Sequence, residues 1–195
     1  MKADPFAAGK SSWTIPNILS VARILITPGF VVALFNDQHV LAMTLFVLAG
    51  LTDALDGFMA RILNQRSRIG AMIDPLADKF LLLTSFVCLG ILGWVPFWLS
   101  VLVISREAII VCGLFVLHFS GVNIMNRISP SLDSKINTFL LISLLLASMF
   151  AQVLGMSRFE VLSQFMAYLA GGTTVFSGVR YVLRGFSLMR EIPES

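Results

Sequence analysis

Charge is scarce in this sequence, and the residues that build most disulfide and zinc sites are nearly absent. Only 13% of the 195 residues are Asp, Glu, Lys or Arg, against about a quarter in soluble domains. With 57% apolar residues and a mean hydropathy of +0.87, that shortage excludes an ordinary soluble domain and points to an integral membrane protein. The two cysteines, Cys88 and Cys112, lie inside apolar runs. They offer neither a disulfide framework nor a thiolate metal site, and both read as small buried hydrophobes. The two histidines, His39 and His118, stand isolated near the ends of apolar segments and receive no role. The net charge of +3 is modest, and no nucleic-acid partner is expected. The first sixteen residues are polar and small and lack an apolar core, so no cleavable signal is expected and the first apolar segment is read as a span.

What is present is a series of long apolar runs. Six are long enough to cross a hydrocarbon core of ~30 Å, for which about 20 residues are needed. They cover Ile18–Phe35, Val40–Arg61, Asp74–Leu92, Phe97–Phe119, Ile136–Leu154 and Val161–Leu183. The expected fold is therefore an all-α integral membrane protein with six transmembrane helices. Pro28 falls inside the first and is expected to kink it. Residues 1–16 form a short interfacial lead-in, with Trp13 at headgroup level and Pro16 at a helix start. No run repeats another, so residues 1–195 read as a single domain.

The basic residues orient the spans. Lys2 and Lys10, then Arg61, Arg66 and Arg68, then Arg127 and Lys135, then Arg184 and Arg190 all fall on one side, and the opposite loops hold only Arg158. The positive-inside rule makes the basic side cytoplasmic, with both termini there. A bacterial inner membrane is the expected location. Arg180 and Arg184, near the end of the sixth span, read as snorkelling anchors.

Against this apolar background, four carboxylates stand out. Asp53 and Asp56 lie near the cytoplasmic end of the second span, and Asp74 and Asp78 open the third from the same side. An ionised carboxylate within a bilayer costs at least about 2.5–3.5 kcal/mol and marks a site. Residues three or four apart share a helix face, so each span offers two carboxylates on one face. Four carboxylates facing one another cannot all remain ionised and unpaired in a low dielectric, and one or two divalent cations resolve this. Oxygen-only ligands suit Mg²⁺, Mn²⁺ or Ca²⁺. Magnesium held this way completes its shell with water and phosphate oxygens, which implies a pyrophosphate-bearing substrate. The depth of the site points to a lipid with a cytosolic head. Gly57, Ala60 and Gly70 lie on or beside the same faces and leave room for a ligand or a close helix. A metal or proton pathway is the other reading of such residues, but no inverted repeat or pair of broken spans supports a transporter.

The frame D-A-L-D-G-F-M-A-R, then eight residues, then G-A-M-I-D-P-L-A-D resembles the signature of the CDP-alcohol phosphotransferases, D-x2-D-G-x2-A-R-x8-G-x3-D-x3-D. Every fixed position matches: Asp53, Asp56, Gly57, Ala60, Arg61, Gly70, Asp74 and Asp78. The resemblance implies a binuclear Mg²⁺ or Mn²⁺ centre on Asp53, Asp56 and Asp74, with Asp78 a further ligand and the general base. Asp56, Gly57, Ala60, Arg61 and Gly70 would receive the cytidine nucleotide and phosphates of CDP-diacylglycerol, and CMP would leave. A homodimer in the lipid membrane is a further family-level implication.

The acceptor is expected at the fourth and fifth spans. Arg106-Glu107 interrupts an apolar run, and mutual pairing or a role in the site is expected of them. Arg106 and Lys135 together would make a cationic pocket for a phosphate on the acceptor. The stretch Ile15 to Arg23, I-P-N-I-L-S-V-A-R, resembles the phosphatidylglycerophosphate synthase branch, as does the Arg-Glu pair. That branch has G-K-x-K-T where this chain has Ser134-Lys135-Ile136-Asn137-Thr138, a form closer to the eukaryotic-type cardiolipin synthases. Glycerol 3-phosphate, the branch's usual bacterial acceptor, is the expected substrate, and phosphatidylglycerol is the alternative.

Overall fold

The computed structural model describes the backbone of residues 15–62, 70–119, 132–155 and 158–190. Among the described residues six helices follow one another: α1 Ile15–Phe35, α2 His39–Ile62, α3 Gly70–Ile91, α4 Phe97–Phe119, α5 Leu132–Leu154 and α6 Arg158–Arg190. No strand occurs among the described residues. The helices coincide with the six apolar runs and extend beyond most of them, because a helix continues into polar turns where a hydropathy window stops. The 33 residues of α6 make the largest extension, running past Leu183 to Arg190. Among the described residues, Asp133–Leu154 alone is both long and apolar enough to cross a membrane by that measure, with shorter apolar stretches at Val21–Phe35, His39–Thr52 and Lys79–Ile91. The interfacial lead-in of residues 1–16 lies outside the described residues up to Thr14.

The chain divides into two compact units, Met1–Cys88 and Leu89–Ser195. In the first, α1 and α2 form an antiparallel hairpin. Its turn is closed by Asn36 N donating to Val32 O at 3.1 Å and Gln38 N to Ala33 O at 3.0 Å. Asp37 adopts the left-handed conformation there, with φ 57°, a region Asp tolerates better than most residues. The contact face of α1 is the buried stripe Arg23, Thr27, Phe30 and Leu34, and that of α2 is Ala42, Phe46 and Ala49. Both follow the alternating four- and three-residue spacing of one helix face. Phe30 meets Phe46 with ring centroids 5.8 Å apart, while the alanines let the backbones approach. The α1 helix runs through Pro28 as one element, and the Thr27 hydroxyl donates to the Arg23 carbonyl at 2.8 Å.

The second unit holds the last turn of α3 together with α4, α5 and α6. A tight turn leads into α4, with Gly93 at φ 75° and Trp94 N bonded to Leu89 O at 2.9 Å. Both α4 and α5 pack on α6. Leu99 and Val103 of α4, Leu141, Leu144, Leu145 and Met149 of α5, and Ala167 and Ala170 of α6 are buried. Gly171 admits the Trp98 indole so closely that a Cβ there would lie 2.7 Å from the ring. Trp98 in turn stacks on Tyr168 at 5.6 Å.

Both units bury several polar side chains beside their apolar cores and leave many large apolar ones exposed. Arg23, Arg106, Glu107 and Asn137 are buried, whereas Leu25, Val40, Phe97, Phe139, Phe165 and Leu183 are exposed. Cys88 is buried as expected, but Cys112 is exposed. It lies one turn on from the exposed Ile109 of α4, so an apolar setting in sequence did not mean an interior one.

Candidate active site

The carboxylate frame falls on two helices of the first unit. Asp53, Asp56, Gly57, Ala60 and Arg61 occupy the last turns of α2, and Gly70, Asp74 and Asp78 the first turns of α3. Helical backbone through both stretches gives the i, i+3 and i, i+4 spacings their meaning: each pair lies on one face. The side chains of residues 53–78 lie outside the described residues, as do residues 63–69 with Arg66 and Arg68. The donor set itself fits a hard divalent cation, since it consists of carboxylates only, without imidazole or thiolate. Among the described residues there is no further group of three His, Cys, Asp or Glu that could hold a metal.

The second unit contains a buried polar network centred on Arg106. One terminal guanidinium nitrogen donates to Glu107 Oε1. The other donates to Ser134 Oγ of α5 at 2.9 Å and to Ser177 Oγ of α6 at 3.0 Å. One side chain thus ties three helices together. The pairing of Arg106 with Glu107 expected from the sequence is present; the two serines were not anticipated. Their only sequence signal is a small hydroxyl residue in an apolar helix. Gly178 passes beside this arginine, where an added Cβ would lie 3.6 Å from Arg106 Cγ.

Lys135, next to Ser134, is exposed. On the neighbouring turns Asp133 pairs with Arg180, whose guanidinium also lies 5.5 Å from the Phe176 ring centroid. Arg180 is therefore a link from α6 to α5. Asn137, at the position where a second lysine would add charge, is fully buried. Its amide contacts Thr173 Oγ1 at 2.9 Å and Thr174 Oγ1 at 2.8 Å. Both hydroxyls also reach the Ala170 carbonyl, at 3.0 and 2.7 Å. Each hydroxyl has one proton. If both protons go to Ala170, the amide serves the threonines best by presenting its NH₂ group to them. That is a half-turn of the amide, and it leaves no buried N–H idle.

Arg23 was not singled out as a site residue in the sequence. It is fully buried in the first unit, at the end of the α1 stripe that faces α2. An arginine that interrupts an apolar run is the one sign of it in the sequence.

The model of the CDP-alcohol phosphatidyltransferase family matches residues 13–176, running through both units. The chain belongs to this family. It is 32% identical to human cardiolipin synthase (CMP-forming) over 199 aligned positions, covering 95% of this chain and 66% of that protein. It is 41% identical to a CDP-diacylglycerol–glycerol-3-phosphate 3-phosphatidyltransferase of Cereibacter sphaeroides over 107 positions, covering 51% of this chain and 48% of that one. A probable phosphatidylglycerophosphate synthase of Mycobacterium tuberculosis is 34% identical over 131 positions, 64% of this chain and 60% of the relative. The chain spans about half to two thirds of the length of these curated relatives.

Proposed function

We propose that this protein crosses the membrane six times and transfers a phosphatidyl group from CDP-diacylglycerol to phosphatidylglycerol, releasing CMP. The observation that carries the transferase reading is the pair of carboxylate turns on α2 and α3 within one compact unit. Six helices of 21 residues or more are each about 30 Å long or longer, and besides those in the core many of their large apolar side chains are exposed, as lipid contact requires. The basic loops then lie on the cytoplasmic side with the aspartates just below them, in a bacterial inner membrane.

Asp53, Asp56, Asp74 and Asp78 would hold two Mg²⁺ or Mn²⁺ ions, which when bound supply neutralising charge on the pyrophosphate. Gly57, Ala60 and Gly70 admit the nucleotide, and Arg61 pairs with its phosphates. Asp78 takes the proton of the acceptor hydroxyl, and that oxygen forms a bond to the phosphorus bearing the diacylglycerol. The bond from this phosphorus to the bridging oxygen breaks, and CMP departs with the electron pair.

Support for a lipid acceptor comes from charge in the second unit. Arg106 is held by Glu107, Ser134 and Ser177, Arg180 by Asp133, and Asn137 is neutral and buried. Among the residues of that unit whose side chains are described, Lys135 is the cation open to a ligand, and Arg106 positions the turn that carries it. One cation suits a phosphodiester monoanion better than a phosphate dianion. The second reading, glycerol 3-phosphate as acceptor, is favoured by the local identity to the Cereibacter relative.

Purified protein in mixed micelles with CDP-diacylglycerol and Mg²⁺ or Mn²⁺ should release CMP on addition of phosphatidylglycerol. Glycerol 3-phosphate, inositol phosphate and serine, offered in parallel, should not support release. Release with glycerol 3-phosphate alone establishes the second reading. No release with any acceptor, together with metal uptake into liposomes, would replace the transferase by a transporter.

A further inference from the structure

The proposed reaction leaves the fully buried arginine of the first unit without a task. Arg23 has no exposed surface, and a guanidinium stays protonated at any physiological pH. A permanent cation in an apolar interior needs an anion nearby. By sequence the unit Met1–Cys88 contains six carboxylates, Asp4, Asp37, Asp53, Asp56, Asp74 and Asp78, and no glutamate. Asp4 lies outside the described residues. Asp37 is exposed in the α1–α2 turn, about 20 Å along the helix axis from Arg23.

The hairpin register narrows the choice. The tight turn makes α1 and α2 antiparallel, and Phe30 packed on Phe46 with Gly29 beside Leu45 sets these positions level. Counting back along α1 and forward along α2 brings Arg23 level with residues 51–53. Long side chains on a helix lean toward its N-terminus, and on α1 that direction leads toward position 56 of α2. The faces agree as well. Arg23 shares the α2-facing stripe with Thr27, Phe30 and Leu34, and the stripe of α2 that faces α1 is Ala42, Phe46 and Ala49. Continued at the same alternating spacing, the α2 stripe runs through positions 53 and 56.

We propose that Arg23 is a positioning residue of the aspartate site, the protein's own counter-ion for Asp53 and Asp56. It offsets their mutual repulsion when no divalent cation is bound, so the site can empty without parting α1 from α2. The proposal rests on the aspartate site described above, but its test needs no substrate.

The full chain in detergent with EDTA is compared by thermal unfolding as wild type, Arg23→Gln, Asp53→Asn, Asp56→Asn, and Arg23→Gln combined with each asparagine change. Arg23→Gln combined with Asp37→Asn is the control. Arg23→Gln should lower the metal-free Tm by about 5 °C or more. Adding Asp53→Asn or Asp56→Asn should recover part of that loss, whereas Asp37→Asn should recover none. Saturating Mn²⁺ should shrink the Arg23→Gln deficit, because added cations take over the neutralisation; a merely structural arginine would give the same deficit in both conditions. Arg23→Lys should keep most of the wild-type Tm. Strictly additive shifts with both Asp53 and Asp56 overturn the proposal. If Arg23→Gln yields no folded protein, recovery of monodisperse protein by either double variant supports it, and failure of both overturns it. The transferase reading is decided separately, by CMP release.

Discussion

Arg106 on α4 donates to the Ser177 hydroxyl on α6 across 3.0 Å, with both side chains buried. The same nitrogen serves Ser134 on α5, and the other terminal nitrogen serves Glu107. A buried ion pair often contributes little net stability, because desolvation of both charges offsets their attraction. This one gains its value from the hydroxyls, which fix the guanidinium at the junction of three helices. Polar side chains in a membrane interior hold helices together where apolar contacts barely distinguish a neighbouring helix from lipid.

Removing the cation alone should therefore be costly. Arg106→Gln leaves the Glu107 carboxylate without its guanidinium and should cost about 3–5 kcal/mol. Adding Glu107→Gln should restore a large part of this. Thermal unfolding in detergent measures both, and equal losses in the single and the double variant would show that the serine bonds, not the ion pair, dominate.

Asn137 makes the second tie between α5 and α6. Thr174→Val removes a hydroxyl that contacts both the amide and the Ala170 carbonyl, and should cost about 1–2 kcal/mol. Thr173→Val should cost less, because its side chain is only partly buried. The same unfolding assay ranks them, and the reverse order would contradict the assigned network.

The helices were legible in the sequence because each apolar run is long and separated by polar turns, and α4 matches its run from Phe97 to Phe119. The aspartate frame was legible because carboxylates are conspicuous among apolar neighbours. The polar ties were not. Ser134 and Ser177 are far apart in sequence and of a residue type common in every setting, so only packing brings them to one arginine. Asn137 reads in sequence as a departure from a lysine pattern, whereas in the fold it is a neutral tie to α6. The outward position of Cys112 depends on which face of α4 meets α6, a choice a uniformly apolar helix does not record.

Two adjacent glycines on α6 give a matched pair. A Cβ at Gly171 would lie 2.7 Å from the Trp98 ring, forcing the indole off Tyr168, and Gly171→Ala should cost about 1–3 kcal/mol. A Cβ at Gly172 meets nothing within 4 Å, so Gly172→Ala should stabilise the helix by about 0.5–1 kcal/mol. Opposite Tm shifts from neighbouring substitutions would verify the α4–α6 contact, and equal shifts would refute it.

Lys135 is proposed to meet the acceptor phosphate from an exposed position. Lys135→Gln should raise the KM for phosphatidylglycerol roughly threefold to tenfold with little change in kcat, a modest effect because solvent screens the contact. Added salt should raise the wild-type KM toward that of the variant. Initial rates of CMP release across lipid and salt concentrations test this. A fall in kcat at unchanged KM would instead place Lys135 among the groups that act on the reacting atoms.

Asp78 carries the sharpest prediction, because the proposed mechanism gives it a task the other aspartates do not share. An acceptor hydroxyl has a pKa far above neutrality and needs a base within reach as it attacks, a contribution of about 10²–10⁴ in rate. Asp78→Asn keeps the shape and an oxygen ligand but loses the base. CMP release should fall by at least that factor, while CDP-diacylglycerol still binds in the presence of Mn²⁺. EDTA should abolish the wild-type reaction, and Mg²⁺ or Mn²⁺ should restore it; Asp78→Asn should stay inactive at every metal concentration. An Asp78→Asn protein that regains full activity with excess metal would make this residue a ligand only, and would move the base to one of the other three carboxylates.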